Sequence, residues 1–226
     1  MKKHSKRFKQ IESLTDKSKI YALKEAVAVI KKAIPVKFNE SIELNLHLNI
    51  DPKKSEELVR GTVVLPHGTG KKKKIAVFCK GEQESLASSL GVDFVGGSDL
   101  IEKVASGFLD FDCAIATPEM MKDLSRLGKI LGPRGLMPSP KTGTVTNDIA
   151  HAIKEVKAGK IEFKSDKQGG LHVAVGKLSF SEQQIYDNAE CVLEAIKQVK
   201  PASVKGELFK SISLATTMGV GLKVSI

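Results

Sequence analysis

The 226-residue chain has no long apolar run. Its longest stretch free of charged side chains, Ser211 to Leu222, is twelve residues rich in Ser, Thr and Gly, well short of the ~18 apolar residues that a membrane span needs. No bilayer crossing is expected. No leader is expected either: MKKHSKRFKQ carries five cations in its first nine residues but leads into no apolar h-region, so it reads as a basic arm. Cysteines are few, odd in number and widely separated (Cys79, Cys113, Cys191), which fits free thiols in a reducing cytoplasm. The five histidines form no pair at metal-ligand spacing with a cysteine or with one another, so no metal is expected; no cofactor is expected either. No solenoid repeat is present.

Catalytic signatures are missing as well. LPHGTGKKKK superficially suggests a phosphate loop, but Leu65 stands where the first Gly belongs and Lys72 where Ser or Thr belongs. A dinucleotide fingerprint fails because Lys73 replaces its third Gly and the run precedes its strand. No G-x-S-x-G elbow occurs. The chain is therefore read as a binding protein and not an enzyme.

What is present is positive charge, placed unevenly. Lys and Arg number 36 against 26 Asp and Glu, a net charge of +10, which draws polyanions by long-range attraction and counterion release. Gly128 to Thr146 holds four Gly, three Pro and three cations (Lys129, Arg134, Lys141) with no acid. Gly and Pro together make it a shaped loop, not a helix or central strand, suited either to a phosphate backbone or to a plain connection facing water. Lys71 to Lys74 read first as a solvated cationic edge, with secondary phosphate contact as the alternative.

Hydrophobic periodicity changes twice along the chain. Tyr21 to Lys32 has helical spacing, stopped by Pro35, and Ile42, Leu44, Leu46, Leu48 and Ile50 then alternate with polar neighbours as in a half-exposed strand. Thr62 to Leu65 is a second strand. Between His67 and Ala158 the rhythm becomes alternating β and α: strands IAVFC, VDFVGG and CAIAT, helices Glu82 to Leu90, Ser98 to Ser106 (N-capped by Ser98), Glu119 to Leu127 and Asp148 to Lys157. Uniformly apolar strands of this kind form a parallel sheet covered on both faces. From Gly159 the half-exposed pattern returns: strands KIEFKSD and GLHVAVGKLSF joined around Lys167 to Gly170, a helix opened by the capping box Ser181/Gln184 and stopped by Pro201, and strands Leu208 to Thr216 and Leu222 to Ile226. The fold class expected is mixed α/β and α+β in two domains joined by a hinge. Residues 1–66 plus 159–226 form a discontinuous two-layer α+β domain, and 67–158 an inserted, Rossmann-like three-layer α/β domain. The inserted stretch has 13 cations and 11 acids, +2, and the remainder 23 and 15, +8.

Three binding candidates lie in the more cationic part. Lys37, Phe38 and Ser41 put a cation, an aromatic ring and a hydroxyl at a strand entrance, where Phe38 serves either as a base-stacking platform or as ordinary core. Lys160, Lys164 and Lys167 surround Phe163, Gly169, Gly170 and His172, an arrangement open to an RNA backbone or simply a hairpin turn. Thr216, Thr217, Met218 and Gly219 end a strand with two hydroxyls, a flexible thioether and no side chain. Hydroxyls bond the 2′-OH and base edges of an RNA minor groove, and glycine lets that surface approach.

PHGTGK at 66–71, GPRGLMP at 132–138, PKTGTVT at 140–146, GKIEFKSDK at 159–167 and TTMG at 216–219 together resemble the signature segments of large-subunit ribosomal protein one (L-one), bacterial type, in order and across nearly the whole chain. The resemblance implies the two-domain hinge fold and binding to the large-subunit rRNA of the mobile stalk beside the tRNA exit site. It also implies contact with exit-site tRNA, assistance to deacylated tRNA release, and repression of the protein's own operon mRNA. The family's main RNA surface maps onto Phe38, Ser41, Lys160, Phe163, Lys164, Lys167, Gly169, His172, Thr217, Met218 and Gly219, and the inserted domain would add secondary contacts, for which Lys71, Lys72, Lys73, Lys74, Arg134 and Lys141 are the candidates. A cytoplasmic, ribosome-bound protein without homo-oligomers is expected. Val220-Gly221 stand where the family commonly has Pro-Ser, and Ser139 where Asn is usual. A free-standing RNA-binding regulator would use the same surface, and a nucleotide-dependent enzyme shares only the two-domain pattern.

Overall fold

The computed structural model describes every residue except 1–4, 17–18, 34–35, 53, 55–56, 205 and 226. The basic arm's first four residues, the stop at Pro35 and the last residue of the final strand therefore lie outside the described residues. In chain order the elements are α1 (Lys6–Ser13), β1 (Tyr21–Ala22), α2 (Leu23–Lys31), β2 (Ser41–Leu48), β3 (Arg60–Val64), β4 (Ile75–Phe78), α3 (Glu82–Ser89), β5 (Phe94–Gly96), α4 (Ser98–Ala105), β6 (Cys113–Ala116), α5 (Met121–Leu124), α6 (Gly128–Leu131), α7 (Ile149–Ala158), β7 (Lys160–Lys164), β8 (Gly170–Lys177), α8 (Glu182–Gln198), β9 (Phe209–Thr216) and β10 (Leu222–Ser225). The fold is mixed α/β, with three sheets among the described residues. None of the described helices is long and apolar enough to cross a membrane.

Packing divides the chain into two compact units, residues 1–70 with 161–226 and residues 71–160. In the first, a five-stranded sheet runs in the order β1-β10-β9-β2-β8, antiparallel except for the short β1–β10 pairing. Strict alternation in β2 turns Ile42, Leu44, Leu46 and Leu48 inward, none more than 2% exposed, against Ala26, Val27 and Ile30 of α2 and Ile185, Ala189, Val192 and Ile196 of α8. Each such aliphatic side chain stabilises the fold by about 1.5–3 kcal/mol relative to its exposed state. Helix α8 starts where the spacing predicts. The Ser181 hydroxyl accepts from Gln184 N–H (3.2 Å) and the Gln184 side-chain oxygen accepts from Ser181 N–H (2.9 Å).

Strands β7 and β8, expected to follow one another around a turn, belong to different sheets: β7 pairs with β3 in a separate two-stranded ribbon. The turn between them makes the transfer. Asp166 N–H donates to Gly170 O (2.8 Å), while the Asp166 carboxylate accepts from the N–H groups of Gln168 (2.8 Å) and Gly170 (2.6 Å). Gly169 holds φ +79° there, a left-handed conformation that glycine adopts without penalty. Tyr21 and Ala22, expected in the helix, instead form β1, because their backbone pairs with Val224 and Ser225.

The second unit contains the parallel sheet β5-β4-β6. Every residue of β4 is buried: Ala76 and Phe78 pack with Leu100, Val104 and Met120, while Ile75 and Val77 pack with Ala87, Ile149 and Ile153. Helix α4 is capped by Gly97 without a side-chain bond, not by Ser98, which lies inside it. The helix expected over Glu119 to Leu127 is broken into a 3-10 turn (Pro118–Met120), α5 and a second 3-10 turn (Ser125–Leu127). Ser125 accounts for part of the break, since its hydroxyl donates back to Lys122 O at 2.6 Å. The Gly/Pro loop is shorter than expected: Gly128–Leu131 is helical and Val145 bridges to Ala116 beside β6.

Candidate nucleic-acid interface

At one end of the five-stranded sheet, the backbone just before β2 meets the backbone just after β9. Thr217 joins them. Its N–H donates to Ser41 O (3.1 Å), and its hydroxyl accepts from Ser41 N–H (3.0 Å) while lying 3.3 Å from Ser41 O. The Ser41 hydroxyl in turn accepts from the Lys177 ammonium (2.7 Å), its cross-strand neighbour on β8. Asn39 and Ser179 exchange two further bonds, 2.9 and 3.2 Å.

Two large apolar side chains stand out from this hydrogen-bonded seam: Phe38 is 53% and Met218 52% exposed. Lys37 beside Phe38 is exposed as well. With its ring half exposed, Phe38 is not ordinary core. Met218 is held from below by Glu40, which is 2% exposed and whose carboxylate accepts from Met218 N–H (2.8 Å). Gly219 turns the chain so closely over the strand end that a Cβ there would overlap the Thr216 hydroxyl.

Thr216 is not part of the exposed surface. It continues the inward row of Ile212 and Leu214 and is buried. Phe163 is likewise 1% exposed, in the core with Val59 and Val63, so it supports the β3–β7 ribbon and presents no ring to a ligand. The ammonium of Lys160 is paired with Glu155 (2.8 Å) and its side chain is only 13% exposed. Lys164, Lys167 and His172 do face solvent, and Gly169 lies buried in the turn that separates them.

His172 belongs to the uncovered face of the large sheet. Its Nδ1 lies 2.7 Å from the Asn45 side-chain oxygen, and one cross-strand row reads His172, Asn45, Ser213 and Lys223. The next reads Gly170, His47 and Ser211. A shallow depression lined by Asn45, His47, His172, Ser211, Ser213 and Asp166 holds about 280 Å³. Backbone N–H groups of Gln168 and Gly170 hold the Asp166 carboxyl below its ordinary value, so it stays anionic and repels phosphate at that spot while fixing the turn.

In the second unit, three members of the lysine run are engaged. Lys71 pairs with Asp112 (3.3 Å), Lys74 with Asp110 (2.6 Å), and Lys73 donates to Lys160 O (2.7 Å). The Asp110 contact raises the Lys74 ammonium above its usual value, and Lys72 is exposed. These three ammonium groups are thus held by partners within the unit. Arg134 and Lys141 are exposed, with Lys141 in a 3-10 turn capped by the Ser139 hydroxyl. Ser139 thus performs a capping role that its Asn counterpart would also perform.

Three residues of the seam were not singled out by pattern: Glu40, Lys177 and Arg7, whose guanidinium donates to Met218 O (2.6 Å). Glu40 did carry a signal. It is in phase with Ile42 and Leu44, so alternation points its carboxylate inward, where a polar partner is required.

Comparison with known proteins places a family match across this geometry. Residues 29–220 match the model of the ribosomal protein L1p/L10e family. The chain is 51% identical over 226 residues to the large ribosomal subunit protein uL1 of Thermosipho melanesiensis, covering 100% of this chain and 97% of that protein. The uL1 protein of Thermosipho africanus is 51% identical over 99% of this chain and 97% of its own length. That of Protochlamydia amoebophila is 49% identical over 100% of this chain and 96% of its own.

Proposed function

The chain belongs to the ribosomal protein L1p/L10e family, and from that premise we propose that it is a structural constituent of the large ribosomal subunit, binding the rRNA of the mobile stalk through the Ser41–Thr217 seam. The observation that carries this reading is the exposure of both Phe38 and Met218 beside a strand end tied by Thr217, Glu40 and Lys177. RNA supplies base faces for stacking and a minor groove for hydroxyl contact.

Lys37, Ser41, Lys164, Lys167 and His172 extend the surface, with Gly169 and Gly219 shaping its turns. Phe163, Thr216 and Lys160 act from beneath, through packing and pairing. The discontinuous part, 1–66 plus 159–226, serves as the rRNA-binding domain, and 67–158 as an inserted three-layer domain on a hinge. Lys72, Arg134 and Lys141 lead its weaker RNA contacts, with Lys71, Lys73 and Lys74 adding charge. In the cytoplasmic ribosome the protein would meet exit-site tRNA and assist release of the deacylated form. The same surface would let it bind and repress its own operon mRNA.

Titrating the full chain with a stalk rRNA fragment and with a plain RNA duplex of equal length tests the reading. Tight binding to the stalk fragment, with at least a tenfold preference over the duplex at 150 mM salt, is expected, since shape-specific contacts add to general attraction. Equal affinity for the two would reduce the interface to charge alone and overturn it.

A further inference from the structure

Met218 sits where the chain leaves the sheet. Strand β9 ends at Thr216, so the Met218 peptide groups have no partner in the ladder. They are instead held from opposite directions: the buried Glu40 carboxylate accepts from its N–H (2.8 Å) and the Arg7 guanidinium donates to its carbonyl (2.6 Å). Both bonds include a charged partner, which makes them shorter and stronger than neutral ones. Arg7 is itself anchored, because α1 buries Ile11 at 3% exposure. That side chain shares a small dent with Val29, Ile30, Thr216, Gly219 and Val220. The Ser5 hydroxyl caps the same helix by accepting from Phe8 N–H (3.2 Å).

We propose that Arg7 and Glu40 are positioning residues for RNA recognition, clamping the Met218 backbone so that its exposed side chain is presented in one pose. This deepens the function proposed above and rests on it. A methionine has a flexible, unbranched side chain, so its contact with RNA depends on how well its backbone is fixed. If only a fraction of molecules hold the binding pose, the apparent Kd rises by the inverse of that fraction. The cationic N-terminal segment accordingly acts through α1 and the turn it holds, and not as a phosphate-seeking arm at Arg7. Glu40 completes the device from the core side: it is buried and its carboxylate accepts from the Met218 N–H beyond the end of the ladder.

The experiment compares full-length wild type with Arg7→Ala, Arg7→Lys, Glu40→Gln and Met218→Ala, using a stalk rRNA fragment at several salt concentrations. In parallel, the Met218 methyl resonance is followed in the free proteins. Arg7→Ala is expected to weaken binding by about tenfold, the effect of losing one charge-assisted bond, at every salt concentration. The log–log salt slope is expected to stay unchanged and the Met218 methyl resonance to shift before any RNA is added. Arg7→Lys, which keeps one donor, recovers part of the loss. Glu40→Gln, which keeps an acceptor oxygen for Met218 N–H, folds and binds closer to wild type than Arg7→Ala does. A salt slope reduced by about 0.7–0.9 in Arg7→Ala would identify a direct phosphate contact and overturn the proposal. So would an unmoved methyl resonance. If the resonance moves but Met218→Ala binds RNA like wild type, the clamp exists without serving recognition, and the assignment of the interface fails with it.

Discussion

Replacing Thr217 with Val isolates the seam's chemistry, because it keeps volume and β-branching while deleting one hydroxyl. In the free protein that hydroxyl accepts from Ser41 N–H at 3.0 Å, a bond whose net contribution is about 0.5–1.5 kcal/mol. Water replaces much of it, since the seam is exposed, so the lower half of that range applies. At about 2–4 °C per kcal/mol for a chain of this size, the melting temperature falls by roughly 1–4 °C. RNA binding suffers more. On the proposed reading the hydroxyl meets the RNA minor groove, and deleting it leaves its RNA partner desolvated and unpaired inside the interface, costing about 1–3 kcal/mol, or roughly 5- to 150-fold in Kd. Thr217→Ser restores the hydroxyl and most of the affinity. Fluorescence titration with stalk rRNA at several salt concentrations, with thermal melts alongside, gives both numbers. Affinity equal to wild type at every salt concentration would refute the assignment of Thr217 to the interface.

Phe38→Ala removes an exposed ring and is expected to leave the melting temperature unchanged while weakening RNA binding by about 1–3 kcal/mol, the usual value of one base–aromatic stack; paired titrations and melts check it. Asn188 is fully buried in α8, accepting from His67 N–H (3.1 Å) and donating to Gly68 O (3.0 Å) and Val175 O (2.8 Å). Asn188→Ala therefore strands several backbone groups and lowers stability by about 2–4 kcal/mol in urea unfolding. Because the folded Asp166 carboxyl is held below its ordinary 3.8, its stabilisation is complete above that value and disappears as pH falls through the folded value. The stability gap between wild type and Asp166→Asn, measured by thermal melts, is expected at pH 7 and closes in acid.

Much of this was legible in the sequence where one physical signal acted alone. Alternation in β2, the fully apolar β4 and the capping box at Ser181 each specify their element locally, and the structure contains all three. Tertiary pairing decided the rest. Nothing local in KIEFK says that its partner is β3 and not β8, and the two-residue β1 exists only because β10 lies beside it. Within the interface, TTMG and Phe38 were recognisable by composition, but composition does not separate Thr216 from Thr217. Strand phase does: Ile212, Leu214 and Thr216 of β9 point inward, which buries Thr216 and leaves its neighbour at the surface. The same phase rule applied before β2 exposes Glu40 as an inward carboxylate in need of a donor. Arg7 had no such signal, since its partner is 211 residues away.

The central claim is that RNA recognition resides in the packing unit that holds the seam. The direct measurement is stalk-rRNA affinity of two shortened chains, residues 1–70 linked to 161–226 through a short glycine segment, and residues 71–160 alone, each confirmed as folded by its melting transition. The account predicts that the first binds the stalk fragment within about tenfold of the full chain, keeping most of its shape-specific contacts, while the second binds weakly and with steep salt dependence. Tight binding by residues 71–160, or loss of binding by the folded first chain, would contradict it.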